Sequence, residues 1–193
     1  DYYRAILRQV LLMKDMGANA IRITHNPASK KLIDIANKEG ILLIEEIFDG
    51  WILDKNNNYK DYSRYFAQKI GESELINSTC DMTWGEFDLK ETLRRDYNAP
   101  SIIAYSLGNE LLCGTNQTRS KEYPSLARDL TSWARELDQK RFLTIGDNSL
   151  RDGYDKNLVE IEEELTRSKG LVGLNYCDGD KYDKIHKDKT NWI

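Results

Sequence analysis

Apolar residues recur through "AILRQVLLMKDM" (5–16) at Ile6, Leu7, Val10, Met13 and Met16, the spacing of an amphipathic helix, and Gly17 supplies its stop. A short β-rich run, "ANAIRIT" (18–24), follows. "KKLIDIANKEG" (30–40) repeats the helical pattern, with Leu32, Ile33 and Ala36 on one face and Gly40 behind, and "ILLIEEIF" (41–48) reads as the next strand. After a long polar stretch the alternation resumes: helix 85–97, strand 101–107, helix 124–138 opened by Pro124, strand 142–145, helix 157–166 and strand 171–175.

Strands that are apolar nearly end to end, each separated by a helix, predict an α/β fold: a parallel sheet covered on both faces or closed into a barrel. No boundary divides the chain, which reads as one domain over residues 1–193. The Asn-, Asp- and Tyr-rich segment from Asp49 to about Thr83 is too long for a plain connection and reads as a lid or binding loop. Leu11, Met13 and Met16 are expected in the core. The acidic run "EIEEEL" (160–165) is expected on a solvated helix face, and "DKYDKIHKDK" (180–189) on the surface with no role for His186.

Polar residues gather where the strands end: Thr24, His25 and Asn26; Glu45 and Glu46; Asn109 and Glu110; Asp147 and Asn148; Asn175 and Tyr176. A polar ring at successive carboxyl ends is where a (β/α)8 TIM barrel places its active site. A doubly wound sheet would concentrate such groups at one switch point beside a glycine-rich turn, and the sequence has no such turn.

Composition narrows the partners. The chain has 193 residues, is 40% hydrophobic and carries a formal charge of -4. Its Lys and Arg are interleaved with acids, which argues against a nucleic-acid surface and for an uncharged partner. No run of about eighteen apolar residues predicts a membrane span, and the opening "DYYRAILRQV" lacks a leader pattern. Cys80, Cys113 and Cys177 are odd in number and lack zinc-site spacing; they read as free thiols, which suggests a reducing, cytoplasmic setting.

The uncharged run from Ile102 to Leu107 ends in Gly108, Asn109 and Glu110. A carboxylate there needs a partner or a use. It either caps the next helix or pairs with an Arg, or it is a general acid with an amide beside it to hold a substrate hydroxyl. Glu45 and Glu46 cannot both enter the mouth, because adjacent strand residues point to opposite faces; Glu46 is the expected one.

These residues resemble a known family. "RDYNAPSIIAYSLGNE" (95–110) is similar to the acid/base signature of glycoside hydrolase family 2, "MKDMGANAIRITHNP" (13–27) to its second-strand motif, and "GILLIEEIFDGW" (40–51) to its third strand. "HNP" and the "FDGW…KDYSRYF" loop look more like the β-galactosidase branch than the β-glucuronidase branch, which usually has Tyr in place of Asn26. The resemblance implies a retaining glycosidase with a carbohydrate substrate. Glu110 would be the acid/base, Asn109 the partner of the sugar 2-hydroxyl and Arg22 the holder of the nucleophile. His25 and Tyr176 would line the sugar subsite, with Asn26, Asp49, Trp51, Asn175 and Glu46 as further contacts; Trp51 reads equally as loop packing.

Magnesium-dependent members carry a Glu and a His closely spaced after the third strand, where this chain reads "EIFDGWIL", so neither metal nor cofactor is expected. The nucleophile in this family is a Glu ending the seventh strand, and the chain reaches only "TNWI" where that strand should begin. The expectation is a partial barrel, about strands 2 to 6, carrying half an active site. The alternatives are a β-glucuronidase or β-mannosidase, or an inert sugar-binding piece. Open sheet edges at "ANAIRIT" and "LVGLN", with Ile21, Ile103 and Leu174 facing inward, predict self-association.

Overall fold

In the computed structural model, which describes residues 2–189 apart from 57, 59, 113–116, 151, 152 and 154, the predicted strands and helices alternate as the sequence implies. Helix α1 (Tyr2–Asp15) leads to β1 (Ala20–Arg22). Helix α2 (Lys30–Glu39) starts where the Ser29 side chain accepts from Leu32 N and ends at Gly40, whose left-handed φ of 72° turns its N–H onto Ala36 O. Strand β2 (Leu42–Glu46) follows, then the short α3 (Ser63–Phe66) and α4 (Trp84–Asp96), capped by Thr83. The chain continues through β3 (Ile102–Asn109), a 3-10 turn at Gln117–Glu122, α5 (Tyr123–Leu137), β4 (Phe142–Asp147), α6 (Lys156–Arg167), β5 (Gly170–Leu174) and α7 (Gly179–Asp188).

All strand pairs are parallel, in the order β1-β2-β3-β4-β5. Each crossover therefore places its strand beside the previous one, the order of a barrel rather than of a sheet that reverses direction. The core lies between the sheet and its helices, with Ile33, Ile35, Leu43, Leu89, Leu93, Tyr105, Leu130, Leu143 and Ile161 all fully buried. Helix α1 packs on α2, α4 on α5 and α5 on α6. The other face of the sheet carries Arg22, Glu46, Ser106, Asn109 and Gly146 towards the carboxyl ends. At its amino ends Leu42 and Phe142 are 40% and 45% exposed.

Several expectations change. Ile21 and Leu174 pair in register with Leu43 and Asp147 and pack on the helix-covered core, so neither faces inward, and Ile103 lies at the register shift between β2 and β3, 38% exposed. Leu11, Met13 and Met16 are exposed, because α1 turns Val10 inward together with Ile6 and Leu7. Glu162 is fully buried: the inward stripe of α6 runs through Leu158, Ile161 and Leu165 and takes Glu162 with it. The segment 180–189 is mostly helical, with Asp178 capping α7 and Ile185 buried. The long 49–83 segment contains α3 and is drawn together by antiparallel bridges from Lys69 to Thr83 and from Ser73 to Ser78. Cys80 is an exposed free thiol, Cys177 Sγ donates to Asp178 O at 3.6 Å, and Cys113 lies outside the described residues. No helix among the described residues is long and apolar enough to cross a membrane.

Candidate active site

Strand polarity gathers the candidate residues. Arg22 ends β1, Glu46 ends β2, Asn109 ends β3, and Asn175 follows β5 directly, so four carboxyl ends meet on the inner face. Arg22 is the centre of the network. Its Nη2 donates to Glu46 Oε2 at 2.7 Å and to Asn109 Oδ1 at 3.0 Å, and its Nη1 donates to Asn175 Oδ1 at 3.0 Å. Asn175 Nδ2 donates to Asn109 Oδ1 at 2.8 Å and to Glu110 Oε1 at 3.1 Å. Asn109 Nδ2 reaches Asp49 Oδ1 at 3.3 Å, and the Asn109 backbone N–H donates to Asp49 O at 2.9 Å.

Glu46, rather than Glu45, enters the mouth. Its Oε1 lies 2.5 Å from His25 Nδ1, and its Oε2 also accepts from Ser106 Oγ at 2.9 Å. Glu45 points to the helices, where it meets Arg95 and the Ala28 backbone N–H. Burial, with the Asp96 charge beside it, pushes the Glu45 carboxyl up to about 8. Asp147, which ends β4, likewise faces away from the mouth: its Oδ2 accepts from Ser149 N at 2.9 Å and Leu150 N at 2.6 Å. Burial raises its pKa, and the charge of Glu110 adds to the rise.

Backbone shape sets the acid. Glu110 and Tyr176 both have left-handed φ, 46° and 54°, although neither is glycine. Such residues carry local strain that the surrounding structure must hold, and they concentrate at functional sites. Glu110 is held by its N–H, which donates to Gly146 O at 2.6 Å across the β3–β4 pairing. Gly146 also provides the space for the network: a Cβ there would collide with Arg22 Nη2 and sit 2.9 Å from Asn109 Oδ1 and 3.0 Å from Asn175 Oδ1.

The structure thus brings Arg22, His25, Glu46, Asp49, Asn109, Glu110 and Asn175 into one hydrogen-bonded set. Tyr176 stands at the rim, 73% exposed, and Asn26 is exposed with its Nδ2 on Pro27 O. Trp51 does not join them. It is 1% exposed, its Nε1 donates to Leu107 O at 2.7 Å, and its ring stacks on Tyr123 and Phe66. The packing alternative is what its geometry shows, because both partners and the strand beneath close over the indole.

Sequence reasoning missed Lys55, whose Nζ holds Asp49 Oδ1 at 2.5 Å, and Ser106, whose period-two position on β3 could have flagged it as facing Glu46. A cavity of about 580 Å³ opens beside His25 and Asp49 and runs past Asn26, Tyr62 and Asp88 to Arg95. Among the described residues no cluster of three or more His, Cys, Asp or Glu side chains is arranged to hold a metal ion.

A parallel strand–helix arc with a connected polar set at its carboxyl ends defines an enzyme domain of the TIM-barrel class. The family model described as "Glycosyl hydrolases family 2, TIM barrel domain" matches residues 3–188, and the chain belongs to that family. It is 37% identical over 109 residues, 56% of its length, to "Beta-galactosidase BoGH2A" of Bacteroides ovatus. It is 33% identical over 140 residues, 72% of its length, to a "Putative beta-glucuronidase" of Formosa agariphila. The chain spans 11% of each of these two relatives. A crystal structure of a glycosyl hydrolase family 2 member from Bacteroides cellulosilyticus superposes with a TM-score of 0.76 at 29% identity, covering 99% of this chain and 21% of that one.

Proposed function

We propose that this chain is the acid/base half of a retaining β-galactosidase-like active site. The observation that carries the reading is Glu110 at the end of β3, in a strained left-handed conformation, with Asn175 Nδ2 on one carboxyl oxygen and Asn109 beside it. In that role Glu110 protonates the glycosidic oxygen as the bond breaks, then takes a proton from the water that attacks the glycosyl-enzyme. Asn109 holds the sugar 2-hydroxyl, and His25, steadied by Glu46, binds a neighbouring hydroxyl. The nucleophile, a second carboxylate about 5 Å from Glu110, comes from a barrel strand outside this chain and rests against the Arg22 side of the network.

A neutral sugar is favoured over a uronic acid by the cations already at the mouth. Lys55 holds Asp49 at 2.5 Å and Arg22 holds Glu46 at 2.7 Å, so each is committed to a carboxylate of the protein. The β-glucuronidase reading keeps support from relatives such as the Formosa agariphila protein. Hydrolysis of nitrophenyl β-D-galactoside and β-D-glucuronide by the full-length protein separates the two. The proposal predicts a kcat/KM at least tenfold higher on the galactoside, and preference for the glucuronide would overturn it.

A further inference from the structure

Glu45 sits on the helix-covered face of β2, where its strand neighbour Leu43 is fully buried among apolar side chains. A carboxyl is an expensive choice for that position unless it has work to do. Its Oε1 accepts from Ala28 N at 3.1 Å and from Arg95 Nη2 at 3.1 Å, while Oε2 is fully buried. The same Arg95 Nη2 donates to Ala28 O at 3.0 Å. Both polar groups of the Ala28 backbone are therefore clamped from behind, and Asp96 in turn accepts from Arg95 Nε at 2.9 and 3.0 Å.

Ala28 closes the short segment that begins at His25. The front of that segment is held by the adjacent carboxylate, Glu46, through His25 Nδ1 at 2.5 Å. Consecutive acids on opposite faces of one strand thus grip opposite ends of one loop. We propose that Glu45 and Arg95 are positioning residues, which fix the 25–28 loop so that His25 presents its imidazole to the substrate; this rests on the glycosidase reading of the mouth. The charged and titratable neighbours of Glu45 are Arg95 and Asp96 from α4 and Tyr105 from β3. Burial, with the Asp96 charge beside it, favours the protonated form of the Glu45 carboxyl, so its Oε1 holds Ala28 as a neutral acceptor. Gln is then a closer mimic than any apolar residue.

The test uses the full-length protein with Glu45→Leu, Glu45→Gln and Arg95→Gln, each alone and combined with His25→Ala. The Arg95 change acts at a side chain 39% exposed and spares the buried strand, so it keeps the test valid where Glu45→Leu does not fold. Glu45→Leu and Arg95→Gln should lower kcat/KM about 10- to 100-fold, the scale of a slightly misplaced contact group. Gln at 45 should restore most of the loss. Combined with His25→Ala, neither should add more than about twofold to the loss from His25→Ala alone, because both act through the same contact. Losses that multiply, or folded variants with unchanged kcat/KM, would overturn the proposal. Amide exchange of the 24–29 segment decides it without turnover: faster exchange there, with α2 still protected, supports the clamp, and unchanged exchange removes it. Absence of turnover by the unmutated protein on any nitrophenyl glycoside counts against the glycosidase reading, and the exchange result still stands for the clamp.

Discussion

Gly146→Ala probes the mouth at the point where the backbone leaves room for it. The demand at this position is steric. A methyl group there overlaps Arg22 Nη2 and presses on Asn109 Oδ1 and Asn175 Oδ1 at 2.9 and 3.0 Å. Arg22 is the movable partner, but it is bound at 2.7 Å to Glu46 and at 3.0 Å to each of the two amides. Moving it breaks hydrogen bonds to a charged group that are worth about 1.5–3 kcal/mol each. Water recovers part of this because the Arg22 side chain is 32% exposed, so the expected net destabilisation is about 2–3 kcal/mol. The two amides shift with the guanidinium, and on the proposed function kcat/KM of the full-length protein should fall about 100-fold, as for a misplacement of about 1 Å. Gly179→Ala, where a Cβ meets nothing within 4 Å, is the matched control and should leave both quantities unchanged. Thermal unfolding and nitrophenyl-glycoside kinetics on the two variants provide the assay. Wild-type stability and kcat/KM in Gly146→Ala would refute the reasoning.

Trp51→Ala should cost about 3–5 kcal/mol of stability and leave KM unchanged below the melting transition, because the indole is core; a tenfold rise in KM without a change in Tm would return it to the sugar site. Glu162 is buried with neither carboxyl oxygen partnered, and burial, with Asp147 nearby, raises its pKa well above the usual carboxylate value. The folded state then binds the proton more tightly than the unfolded one, so this group lowers stability as pH rises above about 4.3, the unfolded Glu value. Glu162→Gln should therefore raise Tm at pH 7, with the gain shrinking towards pH 4; a lower Tm at pH 7 would contradict the assignment. The isolated 193-residue chain, with β1 and β5 as sheet edges and Leu42 and Phe142 exposed on the inner face, should self-associate in sedimentation at micromolar concentration, and a compact monomer with both edges protected from amide exchange would count against that.

Much of this architecture could be read from the chain because parallel strands write long apolar runs. The switch from "IIAYSL" to Asn109 and Glu110 marks the carboxyl end of one of them. The period of two says that only one of Glu45 and Glu46 faces the mouth, and the structure assigns Glu46 through its contacts with Arg22, His25 and Ser106. What stayed hidden depends on neighbours distant in sequence. Gly146 reads as an ordinary strand glycine until Arg22 lies against it, and Lys55 is a loop lysine until Asp49 meets it. Helix α7 is mostly charged with a single buried anchor, Ile185, so its periodicity is nearly silent. Composition hides Glu162: an acid among acids reads as solvated, yet it follows Leu158 and Ile161 on the inward stripe. Trp51 could not be placed because its packing partner Tyr123 lies far along the sequence, on α5.

The most direct test of the account is Glu110→Gln in the full-length protein, assayed on a nitrophenyl β-galactoside and on a β-galactoside with a poor alcohol leaving group. Removing a general acid/base costs about 10²–10⁴ in rate. The account predicts that loss on the poor leaving group and a smaller one in glycosyl transfer from the nitrophenyl substrate, which needs little protonation; added azide should restore turnover of the latter as a nucleophile that needs no general base. Wild-type rates on both substrates would contradict the assignment of Glu110 and, with it, the reading of the site.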